Sequence, residues 1–311
     1  VVADGPQHQI HSATIATTDP LADPTIISVS YLNVSPIQGV EASPLSVSNW
    51  EAFHGALLAV CFQYGDTYVV EGTAVMIGLG LALSAKHVFD DHRDALAKGE
   101  ALLVCFGMRP NGALKVWQCY AMSRDEADGG DLELLSLKLV SDLPADHHLM
   151  VTPMTTRIPP PGETLTVVGF RFEDSVSTDS IHDPVALAGM MYVSKGSAGD
   201  FSYPIHDSLL APYPTIEISS GSLGGISGGA VLDVNGHMVG ITSRGWQSDD
   251  RQGPTLAAWW MQALFWRTNL TWPPGVYDES LPLWRLPTVH IVGREYVHVL
   301  DEPHFGLTRW T

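Results

Sequence analysis

GSLGGISGGAVLDVNGHMVGITSR, residues Gly221 to Arg244, is the stretch that decides how this chain is read. Its centre, Gly225-Ile226-Ser227-Gly228-Gly229, surrounds one hydroxyl with backbone that carries almost no side chain. A serine that attacks a carbonyl needs that bareness: the carbonyl must reach the hydroxyl, and the oxygen that becomes negative must meet backbone N–H groups. Glycine permits both the close approach and the unusual dihedrals. Ala230 to Val234 and His237 to Ile241 then read as two strands joined by Asn235-Gly236, the signature of a hairpin with a type I′ turn. The serine therefore precedes a strand.

Gly225-x-Ser227-x-Gly229 also satisfies the G-x-S-x-G pattern of a nucleophile elbow, whose serine leads into a helix and whose acid and histidine follow later. Asp278 with His290 or His298 would be the partners. The Asn-Gly hairpin stands where that helix should begin, and no series of βα units surrounds it, so the elbow is set aside.

Composition narrows the class. The chain has 311 residues, 45% hydrophobic and 16% charged, which is globular and long enough for two compact units or one large β protein. No window approaches the ~18 uninterrupted apolar residues of a membrane span. A net charge of −18 argues against nonspecific nucleic-acid binding, which needs lysine and arginine to neutralise phosphates. That acidity reads first as a solubility device and second as mild steering of cationic substrates. Cys61, Cys105 and Cys119 form no C-x-x-C pair; buried free thiols are expected, with a Cys105–Cys119 bridge the alternative. The sequence opens at Val1 without a signal-peptide pattern, which fits a processed or trimmed protein; a soluble protein is expected, cytoplasmic ahead of secreted.

Along the chain, residues 1–54 are rich in Pro, Ser, Thr and Asp and read as an extended arm wrapping the body. Short strands follow at Leu57–Phe62, Tyr68–Ile77, Leu81–Ser84, Leu102–Phe106, Leu114–Tyr120 and Leu132–Leu139, with a short helix over Asp90–Lys98. Pro159-Pro160-Pro161-Gly162 cannot continue a central strand and separates a first β unit, 55–158, from a second, 159–252. The second has strands at Leu165–Phe170, Ala188–Ser194 and Thr215–Ser219, then the hairpin. Phe172–Pro184 and Lys195–Pro214 read as long surface loops. In 253–311, the spacing of Leu256, Trp260, Ala263 and Leu264 predicts one helical face, with Trp259 and Trp260 as packing residues, ahead of an irregular extension.

A serine hydroxyl stays a poor nucleophile until a base takes its proton and a third group orients that base. Upstream, Gly72-Thr73 opens a strand pair that ends in Leu83-Ser84-Ala85-Lys86-His87. Asp131 stands at the entrance of the apolar strand Leu132-Glu133-Leu134-Leu135.

With these residues in place, the chain resembles a trypsin-like (chymotrypsin-fold) serine protease, of the bacterial type represented by glutamyl endopeptidase and HtrA protease domains. That family runs in the order His, Asp, Ser, here His87, Asp131 and Ser227. The resemblance covers about residues 55 to 265, and the serine motif with its hairpin is its most specific part. It implies an all-β fold of two six-stranded antiparallel barrels, with the site between them and no cofactor or metal. It also implies a serine endopeptidase in which His87 is general base and then acid, Asp131 orients it, and Ser227 attacks. By the same resemblance, Gly225 and Ser227 N–H groups form the oxyanion hole. Ser243, Arg244 and Gly245 form the edge that pairs with substrate backbone, with Ser243 near Asp131, and Gly221 and Ser222 lie at the base of the specificity pocket.

The departures matter as much. Ile226 replaces the aspartate that binds a newly cut N-terminus in digestive trypsins, so activation by that ion pair is excluded. Lys86 takes a place usually held by a small residue and is expected to point to solvent. Without a carboxylate at Gly221 or Ser222, a preference for Arg or Lys is disfavoured; Arg244 at the rim hints at acidic residues. His147, His148, His290 and His298 lack a ligand spacing and read as surface or packing residues. The partners expected are a protein or peptide substrate and a regulatory protein. The competing reading is a catalytically inactive module on the same fold that binds peptides or protein partners through the cleft.

Overall fold

The computed structural model describes residues 8–9, 28–31, 45–47, 53, 55–108, 114–124, 129–141, 148–172, 176–177, 188–222, 224–248, 251–277, 279–301 and 304–307. The first unit contains β1 (Leu57–Tyr64), β2 (Thr67–Gly78), β3 (Leu81–Ser84), β4 (Leu102–Met108), β5 (Leu114–Ser123) and β6 (Glu133–Leu139). All pairings are antiparallel, in the order β2-β1-β4-β5-β6-β3, and β3 returns to β2, so the sheet closes into a barrel. The second unit contains β7 (Thr164–Phe172), β8 (Ala188–Ser202), β9 (Thr215–Ile218), β10 (Ala230–Leu232), β11 (Met238–Ser248) and β12 (Arg251–Trp259). Its order is β10-β7-β8-β9-β12-β11, and β11 closes onto β10. The architecture is all-β, two closed six-stranded antiparallel barrels of the chymotrypsin type. Closure removes the unpaired edges that an open sheet would expose.

Runs such as Leu57–Phe62 are buried at every residue, without the alternation of a half-exposed strand. That pattern belongs to strands covered on both faces. It also explains the first correction. Leu256 to Trp259 are not helical: they complete β12, all four buried, and only one 3-10 turn, Trp260–Ala263, follows. The stripe of Leu256, Trp260, Ala263 and Leu264 thus runs from the end of β12 through a buried 3-10 turn instead of along one helix. The sixth strand of the second barrel therefore runs past residue 252, where the sequence suggested a boundary.

Two more expectations change. The small residues after Lys195 read as a loop, yet β8 continues to Ser202. Gly196 is required there by a close crossing, since a Cβ on it would stand 2.7 Å from the Ser220 nitrogen. The hairpin turn is not type I′. Asp233 Oδ1 accepts the N–H groups of Asn235 and His237, each at 2.9 Å, and Gly236 N donates to Asp233 O at 3.0 Å. Val234 and Asn235 thus occupy the turn centre and Gly236 takes the left-handed conformation at φ 78°, a type I turn with a following bulge. The single helix expected over 90–98 is two short ones, His87–Asp90 and Arg93–Lys98.

Outside the barrels, residues 8–9 and 45–47 of the N-terminal arm pair with β8, and 28–31 run parallel to His148–Val151. Ile291–Val292 pairs with Met154–Thr155, beside β11. Trp272 meets Trp117 edge to face at 5.4 Å, so the C-terminal extension packs on the first barrel. Trp259 and Trp260 are buried, and Trp260 Nε1 donates to Thr155 O at 2.7 Å.

The barrels meet at Thr73 on β2. Its N–H donates to Ser227 O at 2.8 Å, its Oγ1 accepts from Phe170 N at 2.8 Å, and its carbonyl accepts from Ser84 Oγ at 2.6 Å. Thr73→Val keeps the shape and strips the acceptor from Phe170 N–H. A destabilisation of about 1–3 kcal/mol, the usual cost of an orphaned buried donor, is expected from denaturant midpoints.

Candidate active site

β3 and β6 pair with Leu81 opposite Ser136 and Ser84 opposite Glu133. Carried two residues further, that register sets Lys86 across from Asp131, and Lys86 N donates to Asp131 O at 3.3 Å. His87 follows at the head of its helical turn. Its backbone N–H donates to Asp131 Oδ1 at 3.0 Å, and Nδ1 lies 2.8 Å from Oδ2 and 3.1 Å from Oδ1. The carboxylate is 7% exposed and the imidazole 35%, so the acid is fixed in the interior while the ring reaches the surface. Burying a carboxylate is costly unless donors surround it. Two further groups supply them.

The register of β11 with β12 slips between Thr242 and Arg244, a bulge at Ser243. Bulges re-aim side chains, and this one points Ser243 Oγ at Asp131 Oδ2, to which it donates. Tyr213 OH lies 2.6 Å from Ser243 Oγ. Burial, and then the negative charge of Asp131, pushes the Tyr213 phenol above its ordinary pKa, which keeps it a donor. Sequence reasoning missed Tyr213, because it sits in a segment whose small and polar residues read as loop. Nothing in spacing or pattern marks it.

The serine loop is set by contact rather than flexibility. A Cβ on Gly228, whose φ is 82°, would fall 1.9 Å from Thr73 O and 2.3 Å from Ser84 Oγ; one on Gly229 would fall 2.1 Å from Val168 O. Gly228 N donates to Thr242 O and Thr242 N to Gly229 O, both at 2.8 Å, and Gly229 N donates to Ile226 O at 3.0 Å. Ser227 is half-buried. Above Gly72, the space a Cβ would take lies 2.8 Å from Ser227 O and 2.9 Å from Val88 Cγ2, so the serine and the residue after His87 close on the same point from opposite barrels. Gly225, half-buried at φ 94°, precedes them, and Gly224 opens onto empty space. Ile226 is buried against Gly169 in the second barrel.

Of the remaining sequence-selected residues, Gly221 and Ser222 are buried, and Gly221 O accepts from Ser194 Oγ at 2.9 Å. Arg244 and Gly245 are exposed on β11, and Arg244 hydrogen-bonds Tyr213. Lys86, expected in solvent, is half-buried. The elbow alternative has no support: β10 follows Ser227, Asp278 and His147 lie outside the described residues, and His290 sits beside His237 and Arg294 next to Met154. His298 lies on a separate two-stranded hairpin. Among the described residues no group of three His, Cys, Asp or Glu is placed to hold a metal ion. All three cysteines are free thiols, and burial pushes that of Cys119 up to about 12.

No family model matches the chain, and no curated protein does. Solved structures similar to it include the MamO protease domain from Magnetospirillum magneticum in its apo form, with 13% identity, 68% of this chain and 94% of that one covered, and TM-score 0.44. Another is Deg5, with 12% identity, 67% and 85% coverage, and TM-score 0.45. The architecture itself is established by the two closed barrels.

The segments bearing His87 and Asp131 are also tied by Arg93 Nη2, which donates to Glu133 Oε2 at 2.5 Å. Burial raises the Glu133 pKa, and Arg93 only partly opposes it. The folded state thus disfavours the ionised form. The stability Glu133 contributes is full below its ordinary value of 4.5 and is lost as pH rises through the raised one. Unfolding free energies measured from pH 4 upward should show that decline in the wild type and a shallower one in Glu133→Gln.

Proposed function

We propose that this chain is a serine endopeptidase that hydrolyses peptide bonds through His87, Asp131 and Ser227. The observation that carries the proposal is the convergence of donors on one buried carboxylate, which fixes His87 through Nδ1 at 2.8 Å and leaves Nε2 as its basic nitrogen. A carboxylate in that role holds the tautomer and stabilises the imidazolium. Ser227, brought beside the His87 turn by the Thr73 junction, is the hydroxyl from which Nε2 takes a proton as Oγ attacks the carbonyl carbon.

The resulting oxyanion is stabilised by the N–H groups of Gly225 and Ser227, an effect worth about 2.7–4 kcal/mol for one donor in comparable sites. The imidazolium returns its proton to the amine, the C–N bond breaks, and an acyl-enzyme remains on Ser227. Water, deprotonated by His87, attacks the ester and releases the acid.

A fluorophosphonate probe tests the reading against that of an inactive binding module. Labelling is expected in the wild type and is lost in Ser227→Ala; a folded wild type that stays unlabelled rejects the enzyme. Tyr213→Phe removes one hydrogen bond behind Asp131, so kcat should fall about fivefold, the equivalent of roughly 1 kcal/mol, with KM unchanged. A rise in KM with kcat unchanged would show that Tyr213 acts in binding instead.

A further inference from the structure

A cleft of about 800 Å³ opens between the end of β5 and the segment that follows the 3-10 turn, with His87, Asp131 and Ser227 all outside its lining. Its lining gathers three guanidiniums, those of Arg93, Arg124 and Arg267, in a chain that has only 16 lysines and arginines and a net charge of −18. The lining sets one carboxylate against them, that of Glu133, which is buried and accepts from Arg93 Nη2. Beside the cleft, Arg93 Nε donates to Asp90 Oδ1 at 3.1 Å, and Arg124 Nη1 lies 3.8 Å from the same oxygen. Two of the three guanidiniums thus already share a carboxylate oxygen of the chain itself. Even with Asp90 added, cations outnumber carboxylates among these residues.

The facing wall is apolar and fixed. Phe265 and Trp266 form it, and Met122 adds an apolar side chain from β5. Trp266 N donates to Ala263 O and Leu283 N to Trp266 O, both at 3.0 Å; Thr268 N donates to Leu281 O at 3.2 Å, and Arg267 Nη1 to Ser280 O at 3.0 Å. A wall held by residues 280–283 has its shape before any ligand arrives, so binding costs little ordering.

These two surfaces ask for different things of one ligand. A phosphate dianion satisfies the cations but leaves both rings and Met122 in water. A carboxylate carried next to an apolar side chain satisfies both: the planar fork of arginine matches a carboxylate, and the apolar group covers the aromatic wall. We infer that this cleft is a docking site for an acidic peptide segment of a partner protein, one in which a carboxylate side chain neighbours an apolar one. The inference goes beyond the endopeptidase reading and does not rest on it, because no residue of the proposed triad takes part.

Titration calorimetry at low salt with the peptide acetyl-Glu-Leu-Glu-amide tests this. Wild type and Ser227→Ala should bind it alike, one peptide per chain, and about fivefold more tightly than acetyl-Gln-Leu-Gln-amide. Arg124→Gln combined with Arg267→Gln, checked as folded by circular dichroism, should weaken binding about fivefold. Salt raised to about 0.5 M should weaken it in the wild type as well. Arg267→Lys, which keeps the charge and loses the fork, should bind less tightly than wild type and more tightly than Arg267→Gln. A wild type without saturable binding, a neutral peptide bound as tightly as the acidic one, or a folded double variant of unchanged affinity overturns the docking site. So does inorganic phosphate bound as tightly as the peptide, which would make the cleft a small-anion site. Because the readout is binding, a wild type that fluorophosphonate leaves unlabelled rejects the endopeptidase and leaves this inference standing.

Discussion

The backbone and side chain of Thr73 form the constraint on which the rest depends. Two barrels can share one site only if something fixes how they meet. Thr73 does so with two bonds that cross to the second barrel, to Ser227 O and Phe170 N, while its carbonyl takes a third from Ser84 Oγ within the first. Every partner lies on a segment that matters. Ser227 is the proposed nucleophile, Phe170 is on the strand that flanks its hairpin, and Ser84 ends the strand that delivers His87. The glycines at 72 and 228 follow from this junction, because any Cβ there would enter it at 2.9 Å or less.

From that junction the site grows outward by satisfying one buried charge. Asp131 is nearly excluded from water, and an isolated carboxylate in such a place would take up a proton or pull the fold open. Instead its two oxygens meet the His87 backbone, the His87 ring and the Ser243 hydroxyl, with Tyr213 behind. These donors come from both barrels. The carboxylate is therefore a second tie across the interface, and the His87 orientation is a by-product of keeping that charge solvated.

Much of this was legible before any coordinate. The strand after Ser227, the strand ending before His87 and the carboxylate at the mouth of β6 are local patterns, and chain order relates them. Legibility failed where a residue's role is set by what crosses it. Leu256, Trp260, Ala263 and Leu264 looked helical because the buried end of β12 runs straight into a buried 3-10 turn. Gly196 looked like a loop because the segment that needs its missing Cβ lies more than twenty residues away in sequence. Asn235-Gly236 suggested one turn, but the Asp233 carboxylate captured two N–H groups and selected another. Tyr213 was invisible for the same reason: a buried phenol whose partner is placed by a bulge leaves no trace in periodicity.

Ile226 shows how the serine loop keeps its shape without charge. In enzymes that hold this loop through an ion pair to a new N-terminus, the conformation is conditional on that pair. Here the side chain at that point is 2% exposed and packs on Gly169, where a Cβ would come within 2.8 Å of it. An apolar side chain in a filled interior has no protonation state and no partner to release. Its neighbours are bound through backbone: Ser227 O to Thr73, Gly228 N and Gly229 O to Thr242. The loop is thus assembled by the same packing that closes the second barrel, so its geometry is as stable as the barrel core. An ion-pair switch at this point of the loop has no side-chain charge to act on.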